Sequence, residues 1–174
     1  IFGKNGSGKT TLLLHLLGIN KPSKGNVNIL GLDTKNTSVS KLSKHVGFVF
    51  QNPNHQIFED TVEKEILFGP NNFGIKYVNI ADILKEFKMI DYYNKNPHEL
   101  SYGEKRRLNI ASIIAYDPKI IILDEPFVGQ DNKNTEFILN WIDRERTRGK
   151  SIIYVSHDPR ILNLRKDRII FLED

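Results

Sequence analysis

An α/β fold on a mainly parallel sheet is the expectation for this chain, and three observations carry it. Segments that read as strands alternate with segments of helical period along most of the 174 residues, the order that βαβ units produce. One strand, Ile120-Ile121-Ile122-Leu123, is apolar at every position, as a strand covered on both faces must be. A glycine-rich stretch, Gly3 to Gly8, joins a strand end to a helix, and in a parallel sheet the carboxyl ends of strands border the ligand crevice.

Taken in order, Ile1-Phe2 reads as the tail of a strand, Gly3–Gly8 as a loop, and Lys9 to about Gly18 as a helix stopped by Pro22 and Gly25. Leu12, Leu13, Leu14, Leu16 and Leu17 make that helix apolar nearly all round, so it is expected to be buried, with His15 packed in it. Val27–Leu30 and Val46–Phe50 read as strands. Thr61–Phe68 and Val78–Phe87 read as helices separated by the breakers Gly69-Pro70-Asn71-Asn72. Ser101–Tyr116 is a helix with a clear start signal, since Ser101-x-x-Glu104 is a capping box. After the apolar strand, a helix over 133–146 places Phe137, Ile138, Trp141 and Ile142 on a core face. Strand Ser151–Val155, a short helix after Pro159 and strand Arg168–Leu172 complete the alternation. The mostly helical stretch 52–116 interrupts it and reads as an inserted subdomain, leaving 1–51 and 117–174 as the core of a single domain.

Composition narrows the function classes. With 39% hydrophobic and 26% charged residues the chain suits one soluble globular domain. No apolar run is long enough to span a bilayer. The absence of cysteine excludes a disulfide scaffold, thiolate metal sites and cysteine catalysis, and fits a reducing compartment. The net charge of +4 is uneven. Residues 1–58 carry seven lysines against one acid, Asp33, a balance that suits a polyanionic ligand. Six of the seven are expected to be solvated surface, and Lys9 is the exception. The five histidines show no short metal-ligand spacing. The opening Ile1-Phe2-Gly3, without methionine or a signal-peptide pattern, reads as a segment of a longer protein.

Gly3-Lys4-Asn5-Gly6-Ser7-Gly8-Lys9-Thr10 matches G-x-x-x-x-G-K-[ST] in the strand-to-helix setting that the motif needs. Its glycines allow N–H groups to turn inward around phosphate oxygens, and the helix start adds a positive dipole end. Gly3, Asn5, Gly6, Ser7, Gly8, Lys9, Thr10 and Thr11 are the expected phosphate-binding residues. Lys9 would reach the β- and γ-phosphates, and Thr10 would place its hydroxyl on Mg²⁺. Asp124 and Glu125, at the end of the apolar strand, stand at the crevice. Asp124 is positioned to hold Mg²⁺, and Glu125 to polarise an attacking water.

The two motifs identify the chain as a P-loop NTPase, and further elements resemble the ATP-binding cassette (ABC) family. Leu100-Ser101-Tyr102-Gly103-Glu104 resembles the family signature LSGGQ. Gln51 is similar to the Q-loop glutamine, His157 in Val155-Ser156-His157-Asp158 to the switch histidine, and Asp131 to the D-loop aspartate. The resemblance implies a three-layer P-loop core with an inserted α-helical subdomain carrying the signature. It implies ATP hydrolysis with Mg²⁺ held near Thr10, Gln51 and Asp124, and with Glu125, His157 and Gln51 at the reacting end. It also implies a head-to-tail dimer, homomeric or heteromeric, in which Ser101, Tyr102, Gly103 and Glu104 of one subunit meet the nucleotide of the other.

Tyr102 and Glu104 depart from the signature's glycine and glutamine, and Gln130 replaces the usual leucine before Asp131. The capping box is expected in the free monomer, and Arg106 and Arg107 are expected on a solvated basic face. Relative to the family, the strands before the phosphate loop and the aromatic residue that stacks on adenine are not in the chain. Gln51-Asn52-Pro53-Asn54-His55-Gln56-Ile57-Phe58 with Phe68-Gly69-Pro70 is similar to the ATPase subunits of energy-coupling-factor importers and their cobalt and nickel relatives. That likeness implies an integral membrane subunit docked near residues 52–70, a place on the cytoplasmic face of the cell membrane, and no nucleic-acid partner. The alternative is a soluble cassette acting on the ribosome or DNA. Against the DNA form, Lys9 and Ser101 are close in sequence with no sustained heptads between them.

Overall fold

The computed structural model describes residues 1–164 and 168–172. Strand β1 (Phe2–Gly3) leads through the glycine loop into α1 (Lys9–Leu16). A hairpin of β2 (Asn28–Ile29) and β3 (Leu32–Asp33) follows, then α2 (Val39–Ser43) and β4 (Val46–Val49). Helices α3 (Val62–Phe73), α4 (Ile80–Glu86) and α5 (Tyr102–Ile114) occupy the interval before β5 (Ile120–Asp124). The chain continues through α6 (Asn132–Thr147), β6 (Ser151–Val155), α7 (Pro159–Leu164) and β7 (Phe171–Leu172).

Strands β4, β5 and β6 form a parallel sheet in that order, with Val46 opposite Ile120 and Ile120 opposite Ser151. Beyond β6, a parallel bridge joins Phe2 to Ser156, and β1 pairs in parallel with β7. The Ser156 N–H donates to the Ile1 carbonyl at 3.0 Å. The spatial order is therefore β4-β5-β6-β1-β7, which sets the glycine loop after β1 beside the ends of β5 and β6.

The all-apolar β5 feeds both faces, as its sequence requires. Ile121 and Leu123 join one core cluster with Ile66, Phe87, Leu108 and Trp141, whereas Ile122 joins Leu13, Leu42, Phe48 and Val155 on the other face. Each of these buried side chains contributes about 1.5–3 kcal/mol. Helices thus cover the sheet on two sides, giving a three-layer α/β architecture. Phe137, Ile138, Trp141 and Ile142 all belong to the first cluster, as their spacing predicted. Among the described residues no helix is long and apolar enough to cross a membrane.

Several boundaries differ from the sequence reading, each for a local reason. The strand expected at Val27–Leu30 turns at Leu30-Gly31, whose φ angles of 51° and 83° give the two-residue hairpin of β2 and β3. Helix α3 runs through Gly69 and Pro70 to Phe73. The proline forfeits one backbone hydrogen bond, but its ring is buried and Gly69 lies flat against the Tyr116 ring. Helix α1 is only half covered: Leu13 and Leu17 are buried, but Leu12, Leu14 and Leu16 are partly exposed. His15 is partly exposed too, its Nδ1 2.8 Å from the Thr11 carbonyl oxygen. Of the last expected strand only Phe171–Leu172 is extended in pairing; residues 168–170 precede it without regular structure.

Candidate active site

The glycine loop has the backbone that its sequence demands. Gly6 and Gly8 adopt φ of 91° and 83°, a region closed to most side chains, and the Ser7 N–H donates to the Lys4 carbonyl at 3.2 Å. The loop delivers the chain into α1 at Lys9, and the first turn of α1 carries neither an acid nor a side-chain cap. Its N–H groups therefore remain open to an anion. Lys9 is 7% exposed. Its ammonium donates to the carbonyls of Gly3 at 2.9 Å and Lys4 at 2.6 Å, which holds the cation over the loop. The other six lysines of the first 58 residues are exposed, as expected.

Strand β5 ends at Asp124, directly beneath α1. The Thr10 hydroxyl donates to Asp124 Oδ2 at 3.2 Å. The second oxygen, Oδ1, is buried with no hydrogen-bond partner in the protein. Burial pushes the Asp124 carboxyl above the usual carboxylate range, and the Thr10 hydrogen bond opposes that rise. A hydroxyl and an unsatisfied buried carboxylate oxygen side by side are a fitting donor set for a hard cation such as Mg²⁺.

Glu125 is also buried and has φ of 47°, a left-handed conformation unusual for a residue with a β-carbon. That turn at the strand end brings its Oε1 within 2.8 Å of His157 Nδ1, which follows β6. The His157 ring is 43% exposed, so the pair joins a buried carboxylate to a solvent-reaching imidazole. A polar cleft of about 240 Å³ is lined by Asn5, Gly6, Gly8, Lys9, Thr10, Thr11, Gln51, Asp124 and Glu125. The structure therefore brings together residues from four separate stretches of sequence. Gly3 packs behind the loop against Ser7 and Leu172.

The remaining expected residues stand elsewhere. Asp131 caps α6, accepting the Asn134 N–H at 2.7 Å. Ser101 caps α5 in a complete capping box with Glu104. Glu104 accepts from the Ser101 N–H at 2.8 Å, from the Ser101 hydroxyl at 2.7 Å and from the Tyr92 hydroxyl at 2.6 Å. The Tyr92 contact foremost, then those of Ser101, hold the Glu104 carboxyl down at about 2. None of Ser101, Tyr102, Gly103 and Glu104 lines the cleft of its own chain.

The expected solvated face of Arg106 and Arg107 is a correction. Arg106 is fully buried, and its guanidinium donates to the carbonyls of Phe50, at 2.5 Å, and Gln51. Burial lowers its pKa from the ordinary guanidinium value. Arg107 is partly buried and donates to Asn134 Oδ1 at 2.6 Å. Composition treats an arginine after a capping box as surface, because the segment that buries it lies more than fifty residues away. The signal that could have found it is a polar stripe, Tyr102, Lys105, Arg106 and Asn109, at the spacing of one helical face.

A parallel sheet of this strand order, with a glycine loop feeding a helix and a carboxylate ending the neighbouring strand, defines a P-loop NTPase. Comparisons with known proteins narrow the class. The profile of the family described as ABC transporter matches residues 1–128, and the chain belongs to that family. It is 45% identical over its whole length to a Pyrococcus horikoshii protein named "Putative ABC transporter ATP-binding protein", of which it covers 68%. It spans about a third of the longer Methanosarcina proteins that it also matches. Among solved structures, cbiO1 from Clostridium perfringens, part of the ABC transporter complex cbiONQ, superposes with a TM-score of 0.80 at 33% identity, covering 94% of this chain and 68% of that one. A dimeric ATP-binding cassette in a post-hydrolysis state, bound to ADP and Pi, gives a TM-score of 0.84 at 29% identity, over 99% of this chain and 79% of that one. The protein is thus an ABC ATPase domain.

Proposed function

We propose that this domain hydrolyses ATP to drive an importer of the energy-coupling-factor kind, which takes up vitamins or cobalt and nickel ions. The observation that carries the chemistry is the Glu125–His157 contact at 2.8 Å beside the Thr10–Asp124 pair. In this reading the inward N–H groups of the loop from Gly3 to Gly8 and the start of α1 hold the phosphates. Lys9 leaves its loop carbonyls for the β- and γ-oxygens, exchanging neutral acceptors for charged ones. Glu125 accepts a proton from water, and His157, fixed by Glu125, holds the γ-phosphate and orients that water. Gln51 reaches the reacting end from the other wall.

Thr10, Asp124 and Gln51 would hold Mg²⁺, which when bound neutralises charge on the phosphate oxygens. The ion is supported by the orphaned Asp124 oxygen. Because Ser101, Tyr102, Gly103 and Glu104 stand outside the cleft of their own chain, they serve a second cassette, identical or not, in a head-to-tail dimer. Asp131, which caps α6 and resembles the D-loop aspartate, communicates between the two sites in that dimer.

Residues 52–116 act as a helical subdomain relative to the core formed by 1–51 and 117–174. An apolar groove of about 390 Å³ lies along it, walled by Phe48, Phe50, Phe58, Phe68 and Phe73. Exposed Phe58 and Phe68 stack at 5.7 Å between ring centres, a surface suited to a membrane subunit docking near residues 52–70. The domain then works at the cytoplasmic face of the cell membrane. The importer assignment is supported by the likeness to cbiO1 of the cbiONQ complex.

Purification of the full-length protein from its native membranes tests the reading. A co-purifying integral membrane protein that raises ATP turnover is the expected result. Turnover raised by RNA or DNA, with no membrane protein attached, would overturn it in favour of a soluble cassette.

A further inference from the structure

The polar stripe of α5 grips the segment that carries Gln51. Tyr102, Lys105, Arg106 and Asn109 recur at the i, i+3, i+4, i+7 spacing of one helical face. All four reach the stretch just after β4. Arg106 donates through Nη1 to the Phe50 carbonyl at 2.5 Å and through Nη2 to the Gln51 carbonyl. The Tyr102 hydroxyl donates to that same Gln51 oxygen at 3.3 Å. Lys105 Nζ donates to Asn54 Oδ1 at 3.0 Å, and Asn109 Nδ2 to the Pro53 carbonyl at 2.9 Å. Gln56 returns the contact, donating through Nε2 to the Asn109 carbonyl at 3.3 Å.

The sheet has no such hold on Gln51. Pairing of β4 with β5 ends at Val49 opposite Leu123, so the ladder stops before Phe50. A guanidinium with no exposed surface is costly to bury unless its donors are satisfied. Here Nε has no partner among the described residues, so the compensation falls on the two Nη groups, which go to carbonyl oxygens of this one segment and fix where those carbonyls can lie. The planar fork spans two adjacent carbonyls, a geometry that a single ammonium cannot reproduce.

We propose that Arg106 is a positioning residue for Gln51, tying its backbone to the first turns of α5 so that Gln51 moves with the 101–104 segment and not with the sheet. Of the four side chains in this grip, Arg106, fully buried, is the one that holds the Phe50 and Gln51 carbonyls together. The inference rests on the role proposed above for Gln51 at the reacting end.

The test uses the full-length protein and its variants Arg106→Met, Gln51→Ala and the pair together. Affinity is read with a fluorescent ATP analogue and turnover by phosphate release. Arg106→Met is expected to lower kcat about tenfold and to leave the nucleotide Kd within about threefold, because the phosphate loop is untouched. The double variant is expected to be no more than about twofold slower than Gln51→Ala alone, since both changes act through one group. Arg106→Met turnover near that of the parent, with Gln51→Ala impaired, would overturn the positioning role. So would losses that multiply in the double variant. Gln51→Ala with full turnover would instead overturn the role of Gln51 itself. Where Arg106→Met does not fold, Arg106→Lys keeps the charge and the stem but offers one donor head. A loss of about threefold or more at unchanged Kd supports the proposal, and full turnover overturns it.

Discussion

The phosphate cleft and the gripping face of α5 are both polar surfaces laid on one apolar sheet, and they are made by opposite means. The cleft is built from short-range devices. Its loop, helix start and strand-end carboxylates each take their shape from a few consecutive residues, and the sheet merely sets them side by side. The α5 face is built from long side chains that cross 51 to 56 residues of sequence to reach backbone carbonyls. The first kind of surface presents groups to a ligand; the second spends its groups inside the protein. A polar cluster is therefore a binding site only where its hydrogen-bonding capacity is left over, as at Asp124 Oδ1 and the first turn of α1.

This contrast can be broken by variants. The largest effect is expected at Glu125→Gln, which keeps the shape of the side chain and removes its basicity. Turnover should fall about 10²- to 10⁴-fold with ATP binding retained, as read by single-turnover phosphate release. Near-normal turnover would remove Glu125 from the role of base. Next comes Lys9→Ala, which deletes the only buried cation of the loop. Nucleotide affinity should drop about a hundredfold, the loss expected of a desolvated charge contact of 2–5 kcal/mol; tight binding retained on a nucleotide filter assay would refute the loop assignment.

The smallest effect belongs to the α5 side. Glu104 has its carboxyl lowered from 4.5 to about 2 in the fold, chiefly by the Tyr92 hydroxyl. A depressed carboxylate stabilises the folded state above its unfolded pKa and loses that contribution as pH falls through the folded value. In so exposed a place solvent screening limits the gain to about 1 kcal/mol or less. Glu104→Gln should thus be slightly less stable than the parent in urea at pH 7, with the gap closing between about pH 4.5 and 2. A gap that stayed constant across that window would show that the carboxylate charge contributes nothing.

Legibility in the sequence follows the same division. Gly3–Thr10 could be read because its spacing is the chemistry, and Ile120–Leu123 because burial on both faces leaves no other composition. Ser101 and Glu104 announced their capping box three residues apart, and the cap is there. The contact of Glu125 with His157 was legible only through the family resemblance, since 32 residues separate them. Arg106 was not legible, because an arginine's surroundings are decided by whatever packs above it. Pro70 misled for a related reason: its local penalty is real, yet tertiary burial outweighs it, and α3 continues to Gly74, whose φ of 74° closes the helix. Leu30 misled in the other direction. Its apolar side chain suits a strand, but Gly31 beside it favours the turn, and the leucine follows at φ 51°.

The left-handed backbone at Glu125 carries one more consequence. Holding a residue with a β-carbon there costs about 1–2 kcal/mol, a debt that glycine would not incur. In the role proposed for Glu125, stability and turnover therefore pull this single position in opposite directions. Selection for heat resistance alone would favour a smaller residue and an inert protein. Under the proposed role, selection for turnover must keep the glutamate and find its compensation elsewhere in the fold, of which the two apolar clusters on either side of β5 are the largest buried part.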